Sequence, residues 1–83
     1  MRKVTAVKTF DSYLECEMEN GDIYKYDMSY IHVELAEMTK PLMDKDFFKN
    51  AYIELGSVAW PNGYDIHADS IVRDGELIKK EAS

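Results

Sequence analysis

The chain has little of what rigid chemistry is usually built from. Of its 83 residues, one is cysteine, two are proline and four are glycine. A lone Cys16 excludes an intrachain disulfide and a cysteine-built zinc cage. Four dispersed glycines leave no Gly-rich phosphate cradle, and the sequence holds neither a nucleophile elbow nor a His-Glu-x-x-His pair. No apolar run approaches the roughly 20 residues that span a bilayer, so no membrane association is expected. Behind Met1-Arg2-Lys3 there is no apolar stretch of the kind a secretion signal needs, and a cytoplasmic location is the expectation.

Bases are scarce as well. Ten Lys and Arg face sixteen Asp and Glu, a net charge of −6. Lys3, Lys8, Lys25, Lys40, Lys45 and Lys49 are scattered, whereas nucleic-acid binding rests on cations concentrated against phosphates. No nucleic-acid surface is expected on this domain. An acidic surface suits solubility and, as a partner, a basic protein.

What is present belongs to a folded globule. Hydrophobic residues make up 46% of the chain and aromatics 12%. This length is one domain with one modest core, read here as residues 1–72 followed by a polar tail over 73–83 that frays. Val4 to Thr9 reads as a strand. Tyr13 to Glu19 alternates strictly, with Leu14, Cys16 and Met18 on one face and Glu15, Glu17 and Glu19 on the other, which is a sheet with one wet side. Asn20-Gly21 signals a hairpin with positive φ at both central residues, and Ile23 to Met28 returns with Tyr24, Tyr26 and Met28 on one side. Further on, Ala51 to Leu55 and Val58 to Trp60 form a second hairpin turning over Gly56-Ser57.

Met28, Ile31, Leu35 and Met38 are spaced by three, four and three residues, which predicts a short helix over Ser29 to Lys40, stopped by Pro41. Asp44 can cap a further helical turn containing Phe47 and Phe48. His67 to Val72 is expected to be another helical turn, packing Ile71. Together these give an α+β fold: an antiparallel sheet of about five short strands, an N-terminal three-stranded meander plus a C-terminal hairpin, with one or two short helices.

Trp60-Pro61-Asn62-Gly63 followed by Asp65 is the most distinctive local pattern. Residue Trp60 is pushed toward extended geometry by the proline, Pro61 presets the turn, and Asn62 and Gly63 tolerate left-handed backbone. It is a strong turn but not a reactive one. The glutamate row of strand two lacks anything to desolvate it, as paired catalytic carboxylates require. Cys16 faces inward, where a thiol behaves as a small hydrophobe. His32 reads as a surface histidine. Asp65, His67 and Asp69 alternate and offer one alternative, a small metal-dependent protein or enzyme, although a fourth ligand is not in view. No catalytic residue, metal ligand set or cofactor is otherwise assigned.

Taken together, these features resemble the bacterial family called domain of unknown function 2442. The resemblance rests on Val4 and Val7 ahead of Tyr13, on Glu19-Asn20-Gly21 leading to Asp27-Met28, and on Leu42-x-Asp44 before Phe48. Its most specific part is Val58-Ala59-Trp60-Pro61-Asn62-Gly63 with Asp65-Ile66. It spans roughly residues 3–72, departing at His67-Ala68 and in a slightly longer segment between Ile31 and Leu42. The resemblance implies a small α+β domain with an antiparallel sheet and supplies no activity. Some members carry a C-terminal helix-turn-helix, which is not expected for this chain, and others are encoded beside a second small protein in a toxin–antitoxin-like arrangement. The expectation is therefore a non-enzymatic interaction module, regulatory or antitoxin-like, whose partner is another protein such as the neighbouring gene product. Its binding residues would be Trp60, Asn62, Tyr64 and Asp65 at the turn and Tyr24 and Tyr26 on the meander. Free sheet edges also allow a homodimer.

Overall fold

Strict alternation organises the first half of the structure, a computed structural model that describes residues 2–33 and 36–80. Strands β1 (Val4–Thr9), β2 (Tyr13–Met18) and β3 (Ile23–Asp27) form an antiparallel meander. Leu14, Cys16 and Met18 are buried beneath it, as the pattern predicts. On the outer face Glu15 lies in register between Lys8 and Lys25, so the central glutamate is flanked by opposite charge.

Two loops share one geometry. At Glu19-Asn20-Gly21, the amide of Gly21 donates to the Met18 carbonyl and that of Met18 to the Asp22 carbonyl. At Pro61-Asn62-Gly63, Gly63 donates to Trp60 and Trp60 to Tyr64. In each, the asparagine Oδ1 accepts from the amide two residues on, at 3.0 Å and 3.3 Å. Only the glycines take positive φ, at 92° in both loops. These are three-residue hairpin loops, a type I turn closed by a left-handed glycine, not the two-residue Asn-Gly turn expected at residue 20.

The second hairpin pairs β4 (Tyr52–Glu54) with β5 (Ser57–Ala59), and β6 (Asp65–Ile66) completes a three-stranded sheet. Its turn falls on Leu55-Gly56, one residue earlier than expected, with φ of 51° and 80°. Gly56 suits this position by its left-handed backbone and by a close approach of the chain. Its carbonyl accepts from the Val4 amide at 2.8 Å, and a Cβ on it would lie 2.8 Å from Lys3 Cγ.

The expected helix over Ser29 to Lys40 is replaced by two 3-10 turns, Ser29–His32 and Lys40–Met43. Three-residue spacing serves a 3-10 turn as well as an α-helix, which is why the stripe misled. Met28 and Ile31 are buried, Met38 is exposed, and Leu35 lies outside the described residues. Helix α1 (Lys45–Phe48) is capped as expected, the Asp44 carboxylate accepting from the amides of Asp46 and Phe47.

Helix α2 (Ala68–Asp74) buries Ile71. The stretch expected to fray from Arg73 instead ends that helix and adds β7 (Glu76–Lys79) to the first sheet, in the order β1-β2-β3-β7. All four residues of β7 are exposed, so no apolar alternation announces it. A bulge between its pairings with Ile23 and Tyr24 skews the strand. The fold is thus α+β and antiparallel, with four strands in one sheet, three in the other and two short helices. Trp60, Leu14, Met28, Leu42, Val58 and Ile71 fill the core.

Two outcomes test this packing. Leu55 is 96% exposed in left-handed backbone, a conformation that costs ordinary residues about 1–2 kcal/mol. Leu55→Asn should raise stability by about 0.5–1 kcal/mol, read as a higher urea midpoint, and a fall would contradict the turn assignment. Burial pushes the Cys16 thiol up to about 12 from 9.0. Above pH 9 the unfolded chain ionises its thiol while the folded one keeps the proton, so stability is lost as pH rises toward 12. Denaturation across pH 8–11 should show a shallower alkaline decline in Cys16→Ala than in the parent chain.

Candidate functional site

The turn after β5 is held from inside. Trp60 is fully buried, and its indole N–H donates to the Phe48 carbonyl at 3.0 Å. That carbonyl is one of those left without an intrahelical partner at the end of α1, so the tryptophan satisfies it. The ring packs against Phe48 and Tyr64, with centroids 5.9 and 5.8 Å away. Asn62 reaches across with Nδ2 to the Met38 carbonyl at 2.9 Å, tying the turn to the loop before the second 3-10 turn. Trp60 therefore offers no surface to a ligand, and Asn62 spends both ends of its amide on the backbone. Asp65 is exposed on β6.

Tyr64 leads somewhere else. Its hydroxyl lies 2.7 Å from that of Tyr30, and Tyr30 meets the Tyr26 ring edge-on at 6.4 Å. These three side chains line an open recess together with Asp27 and Asp74. Burial raises the Tyr26 and Tyr30 hydroxyls above the usual phenol range, and the Tyr64 hydroxyl adds to the rise at Tyr30. Both stay protonated as hydrogen-bonding groups at neutral pH. The Ser29 amide donates to Asp27 Oδ1 at 2.9 Å and holds that carboxyl below its usual range. Arg73 does the same for Asp74 through two hydrogen bonds of 3.1 and 2.9 Å. Both acids are anionic and accessible at the rim.

The structure thus unites Tyr26 and Tyr64 from the sequence reading and adds Tyr30, Asp27 and Asp74. Tyr24 sits farther along β3, opposite Cys16 and Leu77, and packs on the core. Tyr30 and Tyr64 are 34 positions apart, so no local pattern could have joined them. Asp65, His67 and Asp69 diverge: Asp69 pairs with Arg2 at 3.4 Å, and His67 Nδ1 lies 3.3 Å from the Ser57 hydroxyl. Among the described residues no group of three His, Cys, Asp or Glu side chains could hold a metal ion. The metal alternative loses its geometric basis there.

Fold and site together define a small antiparallel α+β domain with a tyrosine-walled, acid-rimmed recess. The chain belongs to the family described as protein of unknown function (DUF2442), which matches residues 4–76. No curated protein and no solved structure matches it significantly. No helix among the described residues is long and apolar enough to cross a membrane.

The turn separates structural from surface roles by stability. Trp60→Phe strands the Phe48 carbonyl and opens space in the core, and should cost about 3 kcal/mol in urea denaturation followed by circular dichroism. Asn62→Ala removes both side-chain hydrogen bonds of the turn, neither of them in the core, and should cost about 1–2 kcal/mol, with the buried, blue-shifted emission of the single tryptophan retained.

Proposed function

We propose that this chain is a non-enzymatic interaction module that binds another protein through the Tyr26–Tyr30–Tyr64 recess. The observation that carries the reading is the convergence of three tyrosine side chains with Asp27 and Asp74 in one solvent-open hollow. Aromatic faces and hydroxyls beside carboxylates suit a guanidinium or ammonium group, which gains from ring quadrupoles and charge together. Tyrosine is also among the residues enriched where proteins meet. A net charge of −6 attracts a basic partner over longer range. Such a domain fits a regulatory or antitoxin-like role in the bacterial cytoplasm, holding a basic partner by inserting that partner's Arg or Lys side chain into the hollow.

Co-expression with the neighbouring gene product, followed by affinity capture, tests the proposal. A stoichiometric basic partner is expected, released by raised salt. Asp27→Asn keeps the Oδ1 acceptor for the Ser29 amide, so Asp27→Asn/Asp74→Asn should fold normally yet weaken capture at least tenfold. No partner, or one retained equally by the double variant, would remove the reading.

A further inference from the structure

We infer that a second surface of this protein, the groove between the β1–β2 turn and helix α1, receives an acidic segment with apolar side chains from a partner protein. The groove encloses about 540 Å³, within the size range of ligand-binding clefts. Its walls are apolar and partly open to water. Phe10 and Tyr13 stack with centroids 4.7 Å apart, and across from them lie Ile31, Met43 and Phe48. Phe10 and Met43 each remain 39% exposed, so both present apolar surface within the groove.

Charge at this groove departs from the average of the chain. Lys45, Lys49 and His32 line it, with Asp11 as the acid among its lining residues. Among those lining residues two lysines face one carboxylate, on a molecule of net charge −6, with Asp46 beside Lys45 on the same helix. Lys45 and Lys49 are one turn apart at α1, where the Lys49 amide donates to the Lys45 carbonyl, so both ammonium groups rise from one side of the groove. Among the described residues neither lysine side chain nor the His32 ring has an ion-pair or hydrogen-bond partner. The arrangement is an apolar floor beside unpaired cations. Its complement is a segment placing leucine-, isoleucine- or phenylalanine-like side chains on the floor and carboxylates against the lysines. The groove's open form suits a segment of polypeptide better than an acyl chain, which needs enclosure along its length.

This surface is separate from the tyrosine recess and takes the opposite charge, so the two readings fail independently. The probe is a library of displayed 12-residue peptides selected on the full chain, with counter-selection on Lys45→Glu/Lys49→Glu. Both positions are exposed, and circular dichroism would verify that the variant folds. Enriched peptides should carry two or more acidic residues flanking large apolar ones. They should bind the variant at least tenfold more weakly, lose affinity with added salt, and shift amide resonances of Phe10, Met43 and Lys49. Asp27→Asn/Asp74→Asn should bind them unchanged. Failure to enrich, enrichment of basic peptides, or equal binding to the variant would overturn the inference. Self-association abolished by the same two substitutions would make a second copy the occupant, and would overturn it too.

Discussion

One buried hydrogen bond fixes how helix α1 meets the second sheet. The indole N–H of Trp60 meets the Phe48 carbonyl inside the core, so a helix end that would otherwise hide an unpaired acceptor is docked on the second sheet. The rest is arranged around that contact. Phe48 and Tyr64 pack on the indole, Asn62 ties the same turn to Met38, and Tyr64 then extends to Tyr30. A buried tryptophan thereby fixes the position of a surface tyrosine. The conspicuous Trp-Pro-Asn-Gly motif is a structural clamp, and the tyrosine that lines the open recess lies one residue beyond it.

Local signals were legible in the sequence where local physics decides. Alternation through Leu14, Cys16 and Met18 predicted the first sheet and its wet face, and Asp44 predicted the cap of α1. Asn20-Gly21 marked a hairpin, although the asparagine keeps ordinary backbone and only the glycine turns left-handed. Strand β7 was not legible, because an edge strand exposed along all four residues needs no apolar face. Nor was the 3-10 pair around residues 29–43, since three-residue spacings do not distinguish the two helical forms.

The recess shows the same limit in another form. Tyr26, Tyr30 and Tyr64 are ordinary sheet and turn residues in sequence, and their association depends on how the two sheets are set against each other. Lys45 and Lys49 lie close to Met43 in the chain, but only folding places them beside Phe10 and Tyr13. Composition described the average surface correctly as acidic, but an average conceals a pair of lysines gathered in one small area.

The bulge in β7 bears on how a partner could approach. It offsets the backbone groups of the last strand, which ends in Lys79 and is followed by Lys80. At the far side of that sheet, the tip of the other hairpin grips the start of β1 through Gly56 and Val4. One boundary is warped and charged while the other is latched, so main-chain zippering with a foreign strand is discouraged at both margins. Contact with another chain along these margins is therefore left to protruding side chains, whose identity can drift without disturbing the ladder beneath.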